Sequence, residues 1–319
     1  MSQNWIPRPY MEDAMAFALQ RDGSGLMLDP GLGKTSISLA VIDILKMQGE
    51  VRKTIVIAPM RVCYTVWPVE ARKWIEFHGL RMINLHPLNA TLRQAAMKSP
   101  DFDVYVINPE SFAKVIPFLT DEFELIIFDE STKWKDTQTQ RFKALKPVLF
   151  KFKRRMILTG TPIPNGLQDL FGQMFLVDFG ASLGKYVTHF RMEFCHQHPS
   201  GFGWDLNRGA AELIYKRVAN RLMRLDAADH IEMPELVFNT IKVQLPGKFT
   251  KQYRDLEKAF YAEIEGNPIA LANPSSVGTK LRQMANGFLY DDAMGSKERQ
   301  TIDLHDEKLD ALEELVDSM

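Results

Sequence analysis

The stretch GLMLDPGLGKTS, residues 25–36, sets a lysine and two hydroxyl side chains directly after a glycine-rich turn. Gly31 and Gly33 admit backbone angles closed to other residues, so amide N–H groups there can face an anion. A helix starting near Lys34 would add its positive end, and a polyphosphate suits that combination. On this reading Pro30, Gly31, Leu32, Gly33, Lys34, Thr35 and Ser36 form a phosphate cradle. Lys34 would reach the β- and γ-phosphates of a bound nucleotide, and the Thr35 hydroxyl would ligate Mg2+. Leu28 stands where the template G-x-x-x-x-G-K-[ST] has its first glycine. A tight strand–helix turn with a surface lysine is the alternative for the loop taken by itself.

Asp129 and Glu130 close the apolar run ELIIF. Two adjacent carboxylates at the end of such a run are costly unless they meet a cation. Asp129 would hold Mg2+, directly or through water. Glu130, offset to the other side of the strand end, would polarise an attacking water as general base. An acidic cap on the next helix is the alternative for this pair in isolation; its place after a glycine–lysine loop favours the catalytic reading. Thr159, Gly160 and Thr161, in LTGTPIPN, bring hydroxyls and a glycine to a third strand end. They can couple the carboxylate pair to a moving segment, or simply cap a turn.

Such residues need a scaffold that gathers strand ends on one edge. Short β-branched or apolar runs at 53–59, 81–86, 103–109, 124–130 and 155–162 each end in a turn signal, with helical stretches between most of them. Near-continuous apolar strands alternating with helices predict an α/β fold with a parallel sheet covered on both faces. Ligands bind at the carboxyl edge of such sheets. From about Gly180 the pattern turns aromatic and irregular, then helical over 209–231. A β-branched alternation over 235–245 predicts a strand, followed by helices over 249–264 and 279–290 and an acidic helix over 305–319.

The 319 residues carry a net charge of −1, so any nucleic-acid surface must be local. Two cysteines are too few for a disulfide framework, no run approaches the length of a membrane span, and the N-terminus lacks the regions of a signal peptide. These features predict a cytoplasmic protein without a membrane partner; oligomeric state is not legible.

DPGLGKT, DEST and LTGTPIPN occur in the order and spacing of motifs I, II and III of superfamily-two helicases, and the chain resembles their Swi/Snf-type branch. IVIAPMRVCYTVWPVEARKW is similar to motif Ia, VINPESF to motif Ib, and DESTKWKDTQTQRFKAL to an extended motif II. The resemblance is nearest to compact phage- and prophage-encoded members. It implies a RecA-like ATP-binding lobe over 1–178, a helical insertion over 179–234, a returning strand and helical linker over 235–300, and the start of a second lobe over 301–319. It further implies ATP and Mg2+ as cofactors, double-stranded DNA as partner, and translocation driven by hydrolysis. Pro9 and Tyr10 match the adenine-side motif, with the Tyr10 ring available to pack near the base.

Three departures from that pattern matter. Met11 stands where the family has an adenine-reading glutamine, and Thr132 where motif II closes with histidine or aspartate. No later segment offers the arginine finger of the second lobe, so weak hydrolysis by this chain is expected. A non-catalytic module regulating a host motor, or an RNA helicase lobe, are the alternative readings. The set His189, Glu193, Cys195, His196 and His198 fits no paired zinc spacing and reads as a polar loop. KFKRR (151–155), Lys133 with Lys135, and Lys216, Arg217, Arg221 and Arg224 on one predicted helix face are either DNA contacts or solvated charge. Trp67, Trp74 and Trp134 read as packing anchors.

Overall fold

The computed structural model describes residues 3–163, 166–199, 203–232, 238–265, 274–290 and 301–318. The chain divides into two compact units, Met1–Met233 and Pro234–Met319.

In the first unit, seven strands form one sheet: β1 (Gly23–Leu28), β2 (Lys53–Ile57), β3 (Met82–Asn84), β4 (Val104–Ile107), β5 (Phe123–Asp129), β6 (Arg154–Thr159) and β9 (Leu222–Leu225). Their order is β3-β4-β2-β5-β6-β1-β9, and every pair is parallel. Side chains alternate between two cores with the period of the pleat. Leu26, Leu28, Val56, Val106, Ile127 and Leu158 point to one, whereas Met27, Ile57, Ile107, Ile126, Phe128 and Ile157 point to the other. The first core is covered by α1 (Pro9–Leu19), α2 (Lys34–Met47), α3 (Met60–Thr65) and α4 (Trp67–Lys73). The second is covered by α5 (Ala90–Lys98), α6 (Pro109–Phe112), α7 (Gln140–Leu145), α8 (Leu170–Asp178), α9 (Val187–Phe194) and α10 (Ala210–Val218). A small antiparallel pair, β7 (Cys195–Gln197) and β8 (Trp204–Leu206), follows α9.

The second unit contains α11 (Gly247–Glu265), α12 (Pro274–Ala285), the antiparallel pair β10 (Phe288–Tyr290) and β11 (Thr301–Asp303), and α13 (Glu307–Asp317). Leu304 N–H donates to the Gly287 carbonyl at 2.7 Å, closing the chain behind that pair.

Several expectations are corrected here. The stretch 209–231 is not one helix: α10 stops at Val218, and Leu222–Leu225 joins the edge of the main sheet beside β1. Residues 238–246 are irregular, and 235–237 lie outside the described residues, so the seventh strand is β9 rather than the expected one. The segment 179–234 is therefore mixed, and it contributes to the sheet. Lys216 and Arg217 sit on α10, but Arg221 and Arg224 do not, so the four share no helix face. Arg217 pairs with Glu193, Arg221 with Asp22 and Arg224 with Asp226.

KFKRR lies at the amino edge of the sheet, opposite the strand ends that carry chemistry. Arg155 is buried and donates to the carbonyls of Val177 and Phe152, Arg154 pairs with Glu50, and Lys153 with Glu124. The same edge holds two buried carboxylates. Burial by itself would raise Glu124, but hydrogen bonds from Arg52 and Lys153 outweigh it and hold the carboxyl at about 2. Burial likewise opposes, and Arg81 and Lys46 overcome, at Asp103, again giving about 2. Depressed carboxyls contribute stability above their unfolded values that is lost as pH falls through the folded ones. The melting temperature should therefore fall on acidification from about pH 5 towards about pH 2. Glu124→Gln should lower it by a few degrees at neutral pH and flatten that fall, as a pH series of thermal melts would show.

Candidate nucleotide site

The carboxyl ends of β1, β5 and β6 converge on one edge. Leu28 is still strand, paired with Leu225 and fully buried, which explains why that position needs no glycine. The turn follows it. Gly31 and Gly33 have φ of +89° and +76°, the left-handed region that favours glycine. A side chain on Gly31 would meet nothing within 4 Å, so its requirement is conformational, whereas one on Gly33 would reach Met11 Cε at 2.9 Å. Met11 thus rests on the loop. Leu32 is buried beneath it and Pro30 packs against Gly160, so these two shape the cradle from behind.

β9, which sequence reasoning missed, anchors the loop. Asp29 N–H donates to the Leu225 carbonyl at 3.2 Å, and the Asp29 carboxylate accepts from Ala227 N–H at 2.9 Å. Asn220, a helix-stop residue within the stretch read as continuous helix, was the signal that could have exposed it.

Lys34, the first residue of α2, turns back over the loop and donates to the carbonyls of Leu28 at 2.7 Å and Asp29 at 3.3 Å. Burial pulls its ammonium below the usual lysine range, against the attraction of Glu130, Asp129 and Asp29. Ser36 donates to the Gly33 carbonyl at 2.9 Å and is committed to the loop.

Asp129 ends β5 and is buried. Burial raises its carboxyl above the ordinary range and the Glu130 charge adds to this, while Lys34 and a hydrogen bond from Trp67 act in the opposite direction. Trp67 Nε1–H donates to Asp129 Oδ2 at 2.9 Å. Glu130 has φ +55° and ψ +61°, a left-handed conformation that costs a non-glycine residue about 1–3 kcal/mol and clusters at functional sites. It swings the chain from β5 into a short 3-10 helix, Ser131–Trp134.

Thr159 is buried, and its hydroxyl accepts from Thr161 N–H at 3.1 Å, a local cap. The link between the carboxylate strand and the segment after Thr161 is made by Gln173, also missed from sequence. Ser131 donates to Gln173 Oε1 at 2.6 Å, and Gln173 Nε2 donates to the carbonyls of Pro162 at 2.6 Å and Asp169 at 3.0 Å. Gly172 lets α8 approach, because a Cβ there would lie 2.3 Å from the Lys135 carbonyl oxygen.

A cleft of about 620 Å³ opens over the loop, lined by Gly31, Gly33, Lys34, Thr35 and Ser36 on one side. Tyr10 and Met11 of α1, Glu70 and Lys73 of α4, and Ile231 are among the other lining residues. Pro9 starts α1 and is exposed, outside the lining. Tyr10 packs at a tilt on His230 with centroids 4.8 Å apart, and its buried hydroxyl has no hydrogen-bond partner among the described residues. Asp129, Glu130 and residues 159–161 do not line this cleft; Lys34 is the group that connects it to the carboxylates.

Of the other candidates, Trp74 also lines the cleft and the rest do not. His196 faces Asn207, His198 faces Asp205 and Glu193 pairs with Arg217. Trp74 donates to Glu70, and Trp134 packs edge-on against Phe128.

Sheet order and loop together define a RecA-like α/β lobe. A family model described as SNF2-related domain matches residues 10–288. Protein p41 of Acyrthosiphon pisum secondary endosymbiont phage 1 is 34% identical over 328 residues, covering 98% of this chain and 70% of that protein. Human DNA annealing helicase and endonuclease ZRANB3 is 27% identical over 253 residues, covering 76% of this chain and 23% of its own length. Among solved structures, the Sulfolobus solfataricus SWI2/SNF2 ATPase core in complex with dsDNA matches with a TM-score of 0.59 at 22% identity, over 98% of this chain and 64% of that one. This chain belongs to the SNF2-related family of helicase-like ATPases.

Proposed function

We propose that this chain is the ATP-binding lobe of a DNA-dependent ATPase that translocates on double-stranded DNA. The observation that supports this most is Lys34. A half-buried ammonium at a helix start is held over a glycine loop, with the Asp129 and Glu130 carboxylates acting on it from the end of β5, two strands away in the sheet. A polyphosphate is the ligand such a loop fits, and the cleft volume suits a nucleotide. The orphaned Tyr10 hydroxyl is a buried polar group that a bound base or ribose would satisfy. With Met11 at the base side, adenine is not read by a side-chain amide at that position.

Thr35 and Asp129 would hold Mg2+, which neutralises phosphate charge when bound. Lys34 exchanges its backbone carbonyls for phosphate oxygens. Glu130 takes the proton of the attacking water. The Ser131–Gln173–Pro162 chain of hydrogen bonds joins that strand end to the segment after Thr161, so a change at one is felt at the other. A second RecA-like lobe in a longer chain would supply an arginine, a contribution worth about 10³–10⁵ in rate in related enzymes. Hydrolysis by this chain is accordingly weak.

The test is ATP turnover with and without duplex DNA, in this chain and in a longer one carrying a second lobe. Weak turnover here, with DNA-stimulated turnover there, is the expected result. Binding of ATP without turnover in either would point instead to a regulatory nucleotide module, and stimulation by single-stranded RNA alone to an RNA motor.

A further inference from the structure

Trp67 is wholly buried, and so is Trp134, five residues beyond Asp129 in sequence. Their indole N–H groups meet different fates. That of Trp134 has no hydrogen-bond partner among the described residues, whereas that of Trp67 reaches across 62 residues of sequence to Asp129 Oδ2 at 2.9 Å. Packing needs explain a buried indole in either place. They do not explain why one is aimed at the carboxylate of a candidate metal ligand. Trp67 is also the first residue of α4, whose next turn presents Glu70 and Lys73 to the nucleotide cleft. One short helix therefore forms a wall of the cleft and holds the carboxylate that the cleft itself does not reach.

We propose that Trp67 is a positioning residue for the metal. Its indole N–H fixes the rotation of the Asp129 carboxylate and ties that carboxylate to the α4 wall of the nucleotide cleft. A buried carboxylate with one oxygen clamped by a rigid donor has a single orientation to offer, and partners of this kind change metal affinity by about 10–100-fold when removed. The donor is charge-assisted and shielded from water, which makes it stronger than a surface hydrogen bond. The proposal rests on the nucleotide reading given above, and it adds a role for a residue that composition and spacing present as a packing anchor.

The experiment compares the affinity for a fluorescent ATP analogue in EDTA with that across an Mg2+ titration, for the wild-type chain, Trp67→Phe and Trp134→Phe. Both substitutions delete an indole N–H from a fully buried site, so the second controls for lost packing. Trp67→Phe is expected to raise the Mg2+ concentration at half-effect by at least about tenfold while leaving the affinity in EDTA unchanged. Trp134→Phe should leave both unchanged. An equal shift in the two variants, or none in Trp67→Phe, would overturn the proposal and leave Trp67 a packing residue. Wild-type chain that binds no nucleotide at all would overturn the nucleotide reading itself, a different result from binding without an Mg2+ effect of Trp67. Should Trp67→Phe fail to fold, the indole N–H resonances of the five tryptophans in wild-type chain give the same answer. One of them, displaced in Asp129→Asn, should move on adding Mg2+ to the nucleotide complex; if none does, the proposal fails.

Discussion

Lys34→Met weakens ATP binding by about a hundredfold, some 3 kcal/mol, with little loss of folding stability. In the wild-type chain the Lys34 ammonium donates to the Leu28 and Asp29 carbonyls, both part of the loop that would surround the phosphates. A polyphosphate replaces two neutral acceptors with charged ones, and charge-assisted hydrogen bonds are the stronger kind. Removing the ammonium also takes away a cation that offsets the Asp129 and Glu130 charges beside the loop, which adds repulsion to lost attraction. The stability side follows from sign. Burial holds Lys34 below the usual lysine range despite three neighbouring carboxylates, so the folded chain disfavours the charge relative to a neutral side chain. An unbranched apolar stem should therefore melt within about 2 °C of wild type, as binding residues often sit at the expense of stability. Titration with a fluorescent ATP analogue, beside a thermal melt, checks both halves. Unchanged affinity would remove Lys34 from the nucleotide reading.

How much of this was legible without coordinates depends on the range of the forces involved. Strands β1, β2, β4, β5 and β6 appear where short apolar runs end in turn signals, because a strand covered on both faces leaves a continuous apolar signature. The loop and the Asp129–Glu130 pair were legible as a candidate site for a different reason: their residue types and spacing are local in sequence. β9 was not. Leu222–Leu225 is four residues long, half-exposed at the sheet edge, and follows α10 with little punctuation beyond Asn220. The strand expected over 235–245 had better alternation than β9, yet 238–246 form none; pairing partners decide strand formation, and alternation does not name them. Trp67 and Gln173 were illegible as functional residues because their partners lie 62 and 42 residues away, at Asp129 and Ser131. Thr159 shows the converse. Its hydroxyl, legible as a coupling group or a turn cap, accepts from Thr161 N–H two residues on, and the buried amide of Gln173 makes a longer connection.

Glu130→Gln lowers ATP turnover by about 10²–10⁴ while ATP binding is kept, since the amide retains size and polarity but takes no proton from water. Binding should tighten slightly, because one of two adjacent negative charges near the phosphates is gone. The difficulty with such a variant is that Glu130 does two things. It carries the carboxylate, and its left-handed backbone turns β5 into the Ser131–Trp134 helix. A fall in turnover could come from either. Glu130→Gly separates them: glycine accepts φ +55° without the steric cost, so the turn is relieved while the side chain is lost. If the carboxylate is the general base, Glu130→Gly is as slow as Glu130→Gln yet melts at the same temperature or higher. If the side chain mattered chiefly for the turn, Glu130→Gly would keep most of the turnover that Glu130→Gln loses. Single-turnover hydrolysis, with the protein in saturating excess over nucleotide, reads the chemical step directly and is independent of product release. Near-wild-type rates in both variants would show that water is activated by another group, and Glu130 would then be a strained turn residue whose charge serves Lys34 alone.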